Sequence, residues 1–224
     1  MIYFNLFSRC LSCSECNSPI SCKTPDPGNN GNVVLITGGY GGNATQHSAE
    51  IFSPNSPPCI LPELPARYAG HTQDGGMLCG GFDLKTQYFC RQWNSEEGKF
   101  PEKTVHQFEV PRSYHVSWTP ISENETFLIG GGFTSTHSSS ILLKPGVTPG
   151  YAGFPLKYKI NAACSTPDPE TNTVVITGGI YFPNTASLYN RDGFVENFGD
   201  LNYPRHNHGC TSYVADKKRV RIFF

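Results

Sequence analysis

A double glycine closes a short apolar run four times in this chain. VVLITGG ends at Gly39, GMLCGG at Gly81, TFLIGG at Gly131 and TVVITGG at Gly179. The first glycines of the pairs, Gly38, Gly80, Gly130 and Gly178, are 42, 50 and 48 residues apart. Self-similarity at that period marks stacked supersecondary units, each too small to bury both of its faces. A glycine pair at a strand end has a physical reason. The turn needs φ > 0 and close backbone approach, and glycine offers both without a Cβ penalty. The question of function changes with it. A repeat array is first a recognition surface, and a reaction needs further residues that must be found separately.

The stretches between the glycine pairs repeat as well. The segments that begin at Lys159 and Arg205 align without gaps at an offset of 46, placing Cys164 on Cys210 and Val174 on Val220. Cys22, in SCKTPDP, matches Cys164, in ACSTPDP. Phe52 and Cys59 are seven apart, as are Trp93 and Phe100, and Tyr189 and Phe194 hold similar places. An apolar approach to arginine follows: LPELPAR to Arg67, FEVPR to Arg112 and LNYPR to Arg205. A histidine comes next, at His71, His115 and His208; the third unit offers Lys159 and Ala162 instead. Each unit therefore reads as four strands. The first follows the histidine, the second ends at the glycine pair, the third carries an aromatic and the fourth the proline approach. The prolines before Arg67, Arg112 and Arg205 suit an outer edge strand, where a missing N–H is tolerated.

Composition agrees with many short strands. There are 23 Gly and 18 Pro but only two Met, and long helices need the opposite balance. Four-stranded sheets of this size bury both faces by packing around a common axis, as a propeller. The pattern of Gly-Gly, an aromatic, a second aromatic about seven residues on and then Pro-Arg with a nearby His resembles the kelch repeat. The resemblance covers nearly all of residues 20–224 and implies an all-β, kelch-type β-propeller of four-stranded antiparallel blades. The expected organisation is a cysteine-rich N-terminal tail over 1–19 and a propeller over 20–224. Its units run over about 20–66, 67–111, 112–158 and 159–204, with a partial fifth over 205–224. Rings of this type hold six or seven blades, so the expectation is an incomplete ring in a partial chain.

Nine Cys and two sequons, at Asn43 and Asn124, favour an oxidising, secretory compartment and mark both asparagines as glycosylation candidates. Cys79 and Cys90 flank the turn after the second glycine pair and form the disulfide candidate, with Cys59 as a competing partner for Cys79. Cys22, Cys164 and Cys210 share one repeat position on the predicted innermost strand and read as small buried thiols on diverging strands. Cys10, Cys13 and Cys16 have a metal-like spacing but no paired ligands downstream, so they read as the tail of a disulfide-bonded module. PDPGNNGN at 25–32 lacks the spacing of a calcium loop and reads as a turn, repeated by STPDPETN at 165–172.

A net charge of −1 gives no electrostatic case for nucleic acid. No run of 18 apolar residues occurs, so nothing in this segment reads as a membrane span. No nucleophile elbow, P-loop, HExxH or dinucleotide fingerprint is present. The arginines and histidines recur in phase, which fits an architectural role in hydrogen-bonding neighbouring blades; the rival reading is a basic rim for acidic ligands. The expected function is a non-catalytic module, free of metal and cofactor, that binds another protein or a glycan outside the cell. Recognition is assigned to the loops after the glycine pairs, through Tyr40, Asn43, Phe82, Asp83, Phe133, Tyr181 and Phe182, whose rings could equally pack between blades. The kelch resemblance leaves two rivals. One is an intracellular adaptor for a ubiquitin ligase or actin. The other is a galactose-oxidase-like copper enzyme, which needs two Tyr and two His on the axis.

Overall fold

The structure is a computed structural model. It describes residues 34–223, apart from 42–43, 54–55, 75, 95–96, 121–124, 133–137, 145, 148–149, 169 and 216–217, and gives no side-chain surroundings for 51–59 and 211–223. Asn43, Asn124, Phe133, Cys10, Cys13, Cys16 and Cys22 lie outside the described residues, as does the tail over 1–19; so does the side chain of Cys59.

The first sheet orders β1 (Val34–Thr37), β4 (Ala49–Ser53) and β5 (Ser56–Ile60), with a small hairpin of β2 (Tyr40–Gly41) and β3 (Ala44–Thr45) at one end. Three complete blades follow, each four strands in sequence order. They are β6 (Thr72–Asp74) to β9 (His106–Gln107), through β7 (Met77–Cys79) and β8 (Phe89–Gln92); β10 (Val116–Trp118) to β13 (Tyr151–Pro155), through β11 (Thr126–Ile129) and β12 (Ser139–Leu143); and β14 (Cys164–Asp168) to β17 (Gly193–Asp200), through β15 (Thr173–Thr177) and β16 (Thr185–Asn190). A last hairpin pairs β18 (Cys210–Ala215) with β19 (Lys218–Phe223). Every pairing is antiparallel, and the described residues contain no helix.

The blades stack face to face. Successive side chains of a strand point to opposite faces, and in β11 this alternation feeds two cores. Phe127 and Ile129 join a cluster with Ile160, Val174, Ile176 and Tyr189 of the next blade. Leu128 instead joins Cys79, Cys90 and Phe108 of the preceding one. Strand β11 is therefore buried on both sides, and its sequence TFLI has no polar alternation. A third cluster joins the first and second blades through Ala49, Leu61, Tyr68, Leu78 and Phe100. The repeated aromatic pairs sit edge to face, Trp93 on Phe100 at 5.2 Å and Tyr189 on Phe194 at 5.7 Å, the geometry their ring quadrupoles prefer.

The first strands β6, β10, β14 and β18 are successive neighbours, so they are the innermost. Ties between them include Thr119 Oγ1 donating to Asp74 Oδ2 (2.9 Å) and Ser165 Oγ to Ser117 O (3.2 Å). That proximity corrects the reading of Cys164 and Cys210 as separate thiols: they form a disulfide, with Cα atoms 6.0 Å apart, between β14 and β18. Inner strands converge near the axis, which brings the two positions within bridging distance. Cys79 and Cys90 also form a disulfide, across directly opposed positions of β7 and β8. The prolines before Arg67, Arg112 and Arg205 are corrected too. They follow the outer strands, which end at Ile60, Gln107 and Asp200, and lie in the links that return to the axis.

Candidate functional site

Those returning links build one end of the axis. The second glycine of each pair donates its N–H to a carbonyl of the following link: Gly39 to Tyr68 O (2.7 Å), Gly81 to Arg112 O (2.8 Å), Gly131 to Ile160 O (2.7 Å) and Gly179 to Arg205 O (2.8 Å). Two expected correspondences shift by one residue. Tyr68, not Arg67, is the counterpart of Arg112 and Arg205, and Ile160 with Ala163 replaces Lys159 with Ala162. The position is defined by a backbone carbonyl, which any residue supplies. Arg67 itself is exposed.

Two residues further on, the links join head to tail. Tyr114 N donates to Gly70 O (2.6 Å), Ala162 N to Tyr114 O (2.9 Å) and Asn207 N to Ala162 O (2.7 Å). All four residues are left-handed, with φ of 59, 56, 55 and 51° for Gly70, Tyr114, Ala162 and Asn207. Such a conformation costs a residue with a Cβ roughly 1–2 kcal/mol, so Tyr114 and Ala162 hold it because the hydrogen-bonded belt fixes it. The belt lines a cavity of about 470 Å³.

Three histidines sit one residue after the belt, and each ties its link to the preceding blade. His71 Nε2 bonds with Thr37 Oγ1 (2.9 Å), His115 Nε2 with Thr72 Oγ1 (2.8 Å) and His208 Nε2 with Thr177 Oγ1 (2.9 Å). Thr37 donates its proton to Gln73 Oε1 (3.0 Å), so His71 is the donor in its own bond and its Nδ1 carries no proton. Burial holds His71 down at about 4 and His115 at about 3, the latter helped by the nearby Arg112 and His71. His208 is lowered by burial and then by Arg205 and His206. At neutral pH all three imidazoles are uncharged. Arg112 is buried, and its guanidinium donates to Gly130 O and to the Ser139 carbonyl (3.0 Å) and hydroxyl (2.9 Å). Burial pushes it down to about 10. Its donors serve blade backbone rather than a basic rim.

The loops after the glycine pairs divide. Tyr40 is 67% exposed at the cavity mouth, and Tyr181 and Phe182 are 48% and 39% exposed. Phe182 also leans on Tyr158 at 4.9 Å. Phe82 is half-buried and packs on Tyr114 at 5.5 Å. Asp83 accepts a hydrogen bond from Thr45 Oγ1, fastening its loop to the first hairpin. Sequence reasoning missed Tyr114, Gln73 and Asn207, all in the cavity wall. One signal was readable: Thr37 and Thr177 each stand directly before a glycine pair. No three His, Cys, Asp or Glu among the described residues converge to hold a metal.

No protein-family profile matches the sequence, and no curated protein matches it. Among solved structures the chain is similar to YjhT, with a TM-score of 0.66 and 11% identity over 85% of this chain and 73% of that one. YjhT is a kelch-like β-propeller, and the blades described above share that architecture: the chain folds as a β-propeller.

Proposed function

We propose that this is a kelch-type propeller acting as a non-catalytic recognition module, secreted or part of an ectodomain, whose ligand is another protein or a glycan. One observation carries the reading. Exposed aromatics, Tyr40, Tyr181 and Phe182, stand on loops whose backbone is anchored by the glycine pairs and the left-handed belt. Aromatic anchors exposed on rigidly held loops are the usual source of binding energy at recognition surfaces. Two disulfides fit an oxidising compartment, and they disfavour the intracellular adaptor, which would keep its thiols reduced. Against the copper-enzyme reading, the histidine Nε2 atoms are already engaged by threonine hydroxyls.

The test is binding of the full chain to a panel of purified extracellular proteins and glycoconjugates by biolayer interferometry. Tyr40→Ala and Tyr181→Ala should each weaken the bound partner about tenfold, or ~1.4 kcal/mol, without lowering Tm. A partner held equally well by both variants would overturn the reading, as would chemical conversion of that partner by the wild type.

A further inference from the structure

We propose that Leu84 and Tyr40 together form an apolar knob that seats in an acid-rimmed apolar pocket of a partner protein. This rests on the recognition reading above and narrows its ligand from protein or glycan to protein. The loop after the second glycine pair divides its side chains. Phe82 packs on Tyr114, and Asp83 accepts from Thr45. Leu84, between Asp83 and Lys85 at the tip, is 98% exposed. The loop is fastened on both sides. Phe82 exchanges backbone bonds with Ala69 (3.1 and 2.9 Å), and Gln87 N donates to Gly81 O (2.8 Å). The buried Gln87 side chain donates to Lys85 O (3.2 Å). Thr45, which donates to Asp83, also pairs with Tyr40 across the first hairpin. The tip that carries Leu84 is thus braced against the hairpin that presents Tyr40, itself 67% exposed.

A single exposed leucine is ordinary on a protein surface. This one stands at the tip of a fixed loop, where turn chemistry favours Gly, Asn, Asp or Ser. Its exposure leaves it no packing role within the fold, and a second exposed apolar side chain stands beside it. Because both loops are already held, burying the pair against a partner orders little that was free. The side chain also selects the ligand class. Leucine has no hydrogen-bonding group for a sugar hydroxyl and no π face for a sugar ring. Its complement is a concave apolar pocket, which a folded protein supplies. Charge at the tip points the same way. Asp83 is engaged by Thr45, whereas Lys85 is exposed and joins no ion pair among the described residues. The tip therefore offers an apolar group with a cation next to it, and the rim that complements it is acidic.

The experiment presents the full chain, by biolayer interferometry, to the panel of purified extracellular proteins, to glycoconjugates and to vesicles of phosphatidylcholine and phosphatidylserine. We expect saturable binding of a protein. Leu84→Ala should weaken it at least about tenfold with Tm unchanged, since that side chain is buried only in the complex. Lys85→Glu should slow association, most strongly at low salt. Val195→Ala removes an exposed apolar side chain from the outer strand β17 and should leave binding intact. A protein held equally well by Leu84→Ala overturns the inference, as does unchanged association in Lys85→Glu or an equal loss in Val195→Ala. Binding to glycoconjugates alone or to vesicles alone overturns it too. If the bound protein or glycoconjugate depends on Tyr181 and ignores Leu84, the knob fails while the recognition reading stands. No saturable binding to any of the three kinds of probe overturns both.

Discussion

Acidification should unfold this protein through its axial histidines. The folded chain holds His115 at about 3 and His71 at about 4, whereas an unfolded histidine titrates near 6.5. Above pH 7 both states are neutral and the pair contributes nothing to the pH dependence. Below about 6.5 the unfolded chain takes up protons that the folded chain refuses, so stability falls as pH drops, until the folded values are reached. Between about pH 7.5 and pH 5 the loss comes to about 2 kcal/mol for each histidine, or about 4 kcal/mol for the pair. That is a large share of the 5–15 kcal/mol typical of a folded domain. His208 adds to it in the same direction. Urea unfolding followed by tryptophan fluorescence at both pH values measures the difference, with disulfides intact. His115→Gln removes one titrating group while keeping a side-chain amide near Thr72, and should recover about 2 kcal/mol of the acid loss. A wild-type midpoint that does not move with pH refutes the reasoning; so does an acid loss equally large in His115→Gln.

Two further outcomes follow from the same geometry. A Cβ at Gly80 would strike Arg112 O and lie 2.7 Å from His115 Cε1, whereas one at Gly98 meets nothing within 4 Å, although φ is +58 and +63° respectively. Gly98→Ala should therefore cost only the left-handed strain, about 1–2 kcal/mol, and Gly80→Ala clearly more, by urea midpoint. The Cys164–Cys210 disulfide spans 46 residues of sequence and Cys79–Cys90 spans 11. Chain entropy assigns them about 4 and about 3 kcal/mol, so Cys164→Ala/Cys210→Ala should lower the unfolding free energy more than Cys79→Ala/Cys90→Ala does.

The strand order and the glycine pairs were legible because they depend on side-chain alternation and on φ > 0, both of which leave letters in the sequence. The Cys79–Cys90 bridge was legible because its partners flank one turn. What escaped depends on backbone groups or on distance across blades. Tyr68, Arg112, Ile160 and Arg205 are equivalent through their carbonyls, so anchoring the repeat on arginine displaced it by one residue at Arg67. Gly70 and Asn207 are residue types that favour a left-handed backbone, but Tyr114 and Ala162 are not, and the belt they complete is set by tertiary hydrogen bonds. The pairing of Cys164 with Cys210 required knowing how closely inner strands approach. Tyr114, Gln73 and Asn207 reached the cavity wall without a motif, since they belong to no repeated position of their own residue type.

The link histidines and the residues they meet obey a rule that the third link tests. Thr37 and Thr177 stand before their glycine pairs and bond His71 and His208. In the second blade that place is Cys79, committed to a disulfide, and His115 bonds Thr72, the residue opposite Cys79 in the register. In the third blade the place is Ile129, and the link offers Ala163, which packs with Ile129 on the apolar cluster. Each junction is thus polar on both sides or apolar on both, because a buried imidazole without its hydroxyl loses a bond and keeps its desolvation cost. Ala163→His should therefore destabilise by about 1–3 kcal/mol. Adding Ile129→Thr to it should recover at least about 1 kcal/mol relative to the sum of the single changes. Urea midpoints of the four proteins in the cycle measure that coupling. Strict additivity would mean that the threonine and histidine merely coexist, and that the junctions are held by their backbone bonds and apolar packing instead.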